Sequence, residues 1–349
     1  MIGRALVSLA IAFLSSFAVH AQSALTTLQP YLLPAAAQHS VEDLAAQSDV
    51  LILGEMHGTQ EVPQVAAALL TPLTKLGYQV LAIEVPSDQQ QPLIAWATGK
   101  TDKVPSFYAE PWTDGRGNVQ MLSLIRTALS TPYRWKLICF DESIADAQKQ
   151  YESLKRQVGP ETLKKPPTPL SLNALPDWII NDWQQRDASM ASNFGKQFHE
   201  FARQAKVLAI CGNLHARTAN PPAAEKFTNH FWPSFAAIVQ SKHPTWHVDS
   251  ININYHSGAF FNDGKVNQLG GKPIAEPQAN PLRNGDWNLE LNLSHATPAT
   301  FLATPADPDM AQTAPKPLSS PSGTCSPSSR SMPYSTARYC CYRRFFRRR

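Results

Sequence analysis

The sequence contains no Cys-x-x-Cys pair, no His-Glu-x-x-His stretch and no Gly-x-Ser-x-Gly turn. Zinc-knuckle and thiol-redox chemistry, the zincin mechanism and the serine nucleophile elbow are therefore excluded. Cysteine is scarce: five in 349 residues, an odd number that closes no disulfide framework. Cys139 and Cys211 lie inside apolar runs, where a thiol behaves as a small hydrophobe, and Cys325, Cys340 and Cys341 lie near the C-terminus. Charge is sparse too, at 17% of residues. Residues 330–349 hold seven arginines and no acid, so a formal net charge of +4 leaves the rest of the chain at −3. Such a body offers no phosphate-tracking surface, which excludes nucleic acid as a partner of the folded part. Apolar residues are plentiful: 43% of the chain is hydrophobic, enough for a real core, while 29 prolines rule out a long helical array.

At the N-terminus, Arg4 precedes an apolar run from Ala5 to Val19, and Val19-His20-Ala21 fits the small-x-Ala rule of signal peptidase. That run of 15 residues is shorter than the roughly 20 needed to span a bilayer. Residues 1–21 are expected to be a signal peptide cleaved after Ala21, and the mature chain to be periplasmic or secreted. No Cys stands at the cleavage point to carry a lipid.

Four short apolar runs punctuate the body: Val50-Leu51-Ile52-Leu53, Val80-Leu81-Ala82-Ile83, Leu137-Ile138-Cys139-Phe140 and Val207-Leu208-Ala209-Ile210. Continuous apolar residues without polar alternation mark strands covered on both faces, hence a parallel sheet flanked by helices. Helical spacing fills Pro63 to Leu76, Asn118 to Leu129 and Asp177 to Ala205. The fold class expected is α/β, a mostly parallel sheet flanked by helices, over residues 22–303. A helical insertion, about 143–205, is expected over the carboxyl ends of the strands, because the gap before the fourth run exceeds one crossover helix. Val248 to Ile253 and Trp287 to Leu293 alternate apolar and polar residues, as half-exposed edge strands do.

Each buried run ends in polar residues. Gly54-Glu55-Met56-His57-Gly58 follows the first, Glu84 the second, Asp141-Glu142-Ser143 the third and Gly212-Asn213-Leu214-His215-Ala216 the fourth. In open α/β sheets, ligands bind beyond the carboxyl ends of the strands. Parallel strands would bring Glu55, His57, Glu84, Asp141 and His215 to one edge. Glu55 and His57, two residues apart, share a face if strand geometry persists, and the flanking glycines permit close backbone approach.

Gly54-Glu55-Met56-His57 and Gly212-Asn213-Leu214-His215-Ala216 resemble the two signature stretches of the Tiki/erythromycin-esterase/ChaN superfamily. Arg186-Asp187-Ala188-Ser189-Met190-Ala191 is similar to a helix motif of the ChaN-like haem-binding uptake proteins. The resemblance runs from about residue 45 to 260 and implies a cleft at the strand ends in an exported protein. By that resemblance Glu55 and His57 match the first motif, His215 the second, Asp187 and Met190 the helix, and Glu84 an acid of the hydrolase branches. Phe140-Asp141-Glu142-Ser143 looks closer to those hydrolase branches.

Two function classes follow, and the stretch Arg186 to Ala191 tips the expectation to the first, with the second as the alternative. The first is a ChaN-like protein binding haem or iron for uptake or handling, with His57, Asn213 and His215 at the cofactor and Tyr108 or Tyr255 available as axial ligands. The second is a hydrolase of ester or peptide bonds. There His57 acts as base, Glu55 as its partner and His215 as second ligand or oxyanion donor, while Glu84 completes the catalytic set and Asn213 orients substrate. In a metal-assisted form, Glu55, His57, Asp141 and His215 would hold a divalent ion. The ligand is then haem, a small molecule or a peptide, and a homodimer closing the cleft is compatible with either. His230, His243, His247 and His256 form a loose group read as surface or core histidines. Residues 304–349 are expected to be a disordered Pro/Ser-rich tail whose Arg-rich end could make weak contact with an anionic membrane surface.

Overall fold

The computed structural model describes residues 28–302 except 110–113, 161, 163–175, 200–204, 221–230, 263 and 283–285. The expected signal peptide, the tail from 304 and His230 lie outside the described residues. In chain order the elements are α1 (Ala35–Gln47), β1 (Val50–Glu55), α2 (Glu61–Lys75), β2 (Tyr78–Pro86), α3 (Gln90–Ala97), α4 (Ser106–Ala109), α5 (Val119–Leu129), β3 (Lys136–Asp141) and α6 (Ile144–Val158). They continue with α7 (Asp177–His199), β4 (Lys206–Gly212), α8 (Phe235–Lys242), β5 (Val248–Tyr255), β6 (Gly258–Asn262), β7 (Lys265–Leu269), β8 (Gln278–Pro281) and β9 (Leu289–Leu293).

Seven strands form one sheet in the order β3-β2-β4-β1-β5-β9-β8, while β6 and β7 pair separately as a hairpin. All neighbours in the large sheet are parallel except β8 and β9. The four apolar runs are its consecutive left-hand strands, and the two-residue period of a strand divides each run between two cores. Leu51, Leu53, Leu81 and Ile83 face Val41, Leu69, Leu73 and Leu122 of α1, α2 and α5. Val50, Ile52, Ala82, Ile138 and Phe140 face Met190, Phe194, Phe198 and Phe235 of α7 and α8. Phe140 stacks on Phe235 at 4.7 Å between ring centroids, and the edge of Phe194 meets both rings.

α7 serves two regions. Its C-terminal half covers the sheet through Met190, Phe194 and Phe198. Its N-terminal half carries Trp183, Arg186 and Asp187 to the carboxyl ends of the strands, as the insertion reading required. Met190, matched to a family motif in the sequence, is fully buried packing.

Two expectations are corrected. β5 is flanked by β1 and β9, and β9 by β5 and β8, so neither is an edge strand. Their polar residues lie inside the fold rather than along a solvated edge, and several are bonded there. Asp249 accepts from Ser48 Oγ (2.8 Å), Ser250 N–H donates to Asn288 Oδ1 (2.9 Å), and Asn254 Nδ2 donates to Asn292 Oδ1 (3.3 Å). Alternation reports which side chains are polar, not whether they meet water: Asp249 and Asn254 find partners inside, while Ser250 Oγ and Asn252 Oδ1 are buried without one among the described residues.

Candidate active site

Strand register assembles the site. Glu55 at the end of β1 is paired with Gly212 at the end of β4, and Pro86 of β2 with Asp141 of β3. Glu55, Glu84 and Asp141 therefore come to one edge, with His57 and His215 just beyond β1 and β4. All five sequence-derived candidates meet there.

His57 lies between two carboxylates. Its Nδ1 is 2.9 Å from Glu55 Oε1, and its Nε2 is 3.6 Å from Glu84 Oε2, too far for a direct hydrogen bond. Burial disfavours the imidazolium, yet the charges of Glu84 and Glu55 outweigh it and raise the His57 pKa above its ordinary value. The His57 side chain is 16% exposed, whereas that of His215 is 3% exposed. Of the two histidines, His57 is the one a ligand can reach.

Glu84 is pinned from three directions. Its Oε2 accepts the Gly212 N–H (2.7 Å). Its Oε1 accepts from Arg116 Nη1 (3.2 Å) and from Arg186 Nη2. Arg186 also forks onto Asp141, Nε to Oδ1 at 3.0 Å and Nη2 to Oδ2 at 2.8 Å. Arg116 bonds Asp114 through Nε (2.7 Å) and Asp141 through Nη1 (2.5 Å). Burial would raise the pKa values of Glu84 and Asp141, but the guanidinium charges, Arg186 foremost, hold both below the ordinary carboxylate range. Asp141 is thus a strut between two arginines. The cap of α6 is Ser143, which accepts the Asp146 N–H (3.0 Å).

His215 is enclosed differently. Its Nδ1 lies 2.6 Å from Asp187 Oδ1, which also accepts the Phe235 N–H (2.9 Å). Its Nε2 lies 3.0 Å from Arg186 Nη1. Trp183 stacks on the ring at 4.8 Å and 14°. A guanidinium only donates, so His215 Nε2 accepts, and the ring proton sits on Nδ1 facing Asp187.

The loop carrying His57 is clasped by residues far along the chain. Gly58 O accepts N–H bonds from Phe261 (3.0 Å) and Ala299 (2.8 Å), and Gln60 N–H donates to Thr297 O (3.0 Å). Gly58 adopts φ +80°, and a Cβ there would lie 1.7 Å from Phe261 O, so this glycine admits the chain's own backbone rather than a ligand. Gly212 leaves less margin than most positions, because a Cβ would fall 2.9 Å from His57 Nε2.

The proposed metal set is corrected. Among the described residues no group of three or more His, Cys, Asp or Glu is disposed to hold a metal ion. Guanidiniums stand where a cation would, on Asp141 and Glu84, and both His215 nitrogens are engaged. Of the candidate haem ligands, His215 has no free nitrogen, Tyr255 shares a hydrogen bond with Thr59 Oγ1 (2.9 Å), and Tyr108 is sealed at 1% exposure. His57 Nε2 remains the nitrogen an iron could reach. Asn213 acts through its backbone: its N–H donates to Glu55 O (2.9 Å), and its carbonyl accepts from Trp287 Nε1 (3.1 Å). His243 stacks on Trp246 at 3.8 Å, a packing role.

Sequence reasoning missed Arg116, Arg186, Asp114 and Trp183. Arg116 lies in the loop Asp114-Gly115-Arg116-Gly117, where no strand end pointed to it. Arg186 stood beside Asp187 in a quoted motif, but the charge-balancing need of Glu84 and Asp141 was its only signal, and that need depends on the packing.

No protein-family model matches the chain, and no curated protein matches it. Among solved structures, it is similar to one described as a succinoglycan biosynthesis protein, at 10% identity and TM-score 0.51, over 82% of this chain and 98% of that one. Further matches are an erythromycin esterase variant in its open conformation (12% identity, TM-score 0.46, 78% of this chain and 81% of that one) and ChaN of Campylobacter jejuni with cofacial haem (12%, 0.33, 67% and 96%). At these identities the likeness is one of fold.

Proposed function

We propose that the chain is a hydrolase that cleaves an ester or peptide-like amide bond with His57 as general base. The observation that carries this reading is the arrangement around His57. Glu55 holds Nδ1, and the unbonded, partly exposed Nε2 turns toward an ionised Glu84. A water bonded to Nε2 also reaches Glu84 Oε2, giving it two acceptors and a fixed orientation. As the water attacks the carbonyl carbon, its proton passes to Nε2. The imidazolium formed is stabilised by Glu55 and Glu84, and it then returns the proton to the leaving oxygen or nitrogen.

Five carboxylates, Glu55, Glu84, Asp114, Asp141 and Asp187, face two guanidiniums, Arg116 and Arg186. That negative surplus favours a neutral or cationic acyl compound over a phosphoester. We further propose that the protein is exported and cleaved after Ala21, on the pattern of its first residues.

The test is a screen of neutral ester and amide substrates on the full chain and on His57→Gln, run beside a haemin titration. Turnover lost in the variant supports the base. A saturable Soret shift that disappears in the variant, with no turnover, replaces this reading with haem binding through His57 Nε2.

A further inference from the structure

His215 has the residue types of a second catalytic dyad, a histidine on a carboxylate, yet the groups around it give it another task. Three charged side chains face the ring. Asp187 and Arg186 come from α7, at 2.6 Å from Nδ1 and 3.0 Å from Nε2. Glu84 comes from β2, 4.0 Å from Nε2 and beyond hydrogen-bond reach. Trp183 closes one face. A base needs a lone pair turned toward a reacting proton, and the only lone pair of this ring is spent on Arg186.

We propose that His215 is a positioning residue that works as a fixed hydrogen-bond acceptor for Arg186. It rests on the hydrolase reading of the same site. Arg186 must address Asp141, Glu84 and His215 at once, and His215 sets its third direction. The aligned guanidinium holds Glu84, whose other oxygen faces His57 Nε2. Asp187 in turn keeps the ring proton on Nδ1, so that Nε2 stays an acceptor. The chain of command runs Asp187, His215, Arg186, Glu84 and then the water at His57. His215 itself never exchanges a proton with substrate.

Long-range 1H–15N correlation spectra of the full chain decide the first half of this assignment. The expected result is the Nδ1–H tautomer at 215, with Nε2 carrying no proton, as its contacts with Asp187 and Arg186 require. An Nε2–H tautomer or an imidazolium at 215 overturns it, whether or not the chain turns over substrate. Variants decide the second half. His215→Gln offers Arg186 an amide oxygen and should lose about 10- to 100-fold in kcat with KM and the pH–rate midpoint unchanged. His215→Leu offers no acceptor and should fall further. A His215→Gln profile that loses an ionisation, or a Leu variant as active as the Gln variant, overturns the positioning role. A chain with no turnover at all defeats the hydrolase reading, and the spectra still judge the tautomer.

Discussion

Two histidine–carboxylate pairs stand within one cluster, and they are electrostatic opposites. Glu55 and His57 come from one strand end, two residues apart, and the far side of the His57 ring looks at the Glu84 carboxylate. Asp187 and His215 come from a helix and a strand end, and the far side of the His215 ring looks at a guanidinium. Across from a carboxylate, an imidazole is drawn toward the charged form and can cycle a proton. Across from a guanidinium, it is held as an acceptor. A carboxylate on Nδ1 therefore does not by itself identify a base; the group opposite decides.

That contrast can be broken by experiment. The largest effect expected is in Glu55→Gln, where the amide no longer fixes the ring tautomer. We expect kcat to fall by about three orders of magnitude, with a lower pH–rate midpoint because one raising charge is gone. Next comes Arg186→Met, which leaves Glu84 and Asp141 buried without their principal counter-charge. Loss of about 3–5 kcal/mol of stability is expected, read from the denaturant midpoint. A wild-type value would show that the cluster is hydrated rather than sealed. The wild-type pH–rate profile sharpens the comparison more gently. Protonated His57 cannot accept, so the rate should rise with pH through a midpoint above the ordinary histidine value of about 6.5. A midpoint below that value would mean that Glu84 and Glu55 do not govern the ring. The smallest effect expected is none: a strong chelator should leave turnover unchanged, since the arginines already neutralise Asp141 and Glu84.

Much of this was legible in the sequence where the signal is local. The four apolar runs announced buried parallel strands, and the polar residues that end them announced a shared edge. Glu55 and His57 could be paired from their spacing alone. Asp187 and His215, separated by 28 positions, carry no such spacing, and Arg116 and Arg186 matter only once Glu84 and Asp141 are known to be buried together. β5 and β9 failed for a related reason: their polar alternation is the same whether Asp249 and Asn254 meet water or partners within the fold.

The clasp on the His57 loop has a consequence for timing. Gly58 and Gln60 follow the first strand, yet their bonds go to Phe261, Thr297 and Ala299, more than 200 positions later. A growing chain that has just passed β4 already owns Glu55, His57, Glu84 and His215, but the loop bearing His57 still lacks its bonds to Phe261, Thr297 and Ala299. The geometry of the proposed site is completed only when residues up to Ala299 arrive, so a chain stalled partway holds its residues without the bonds that set them.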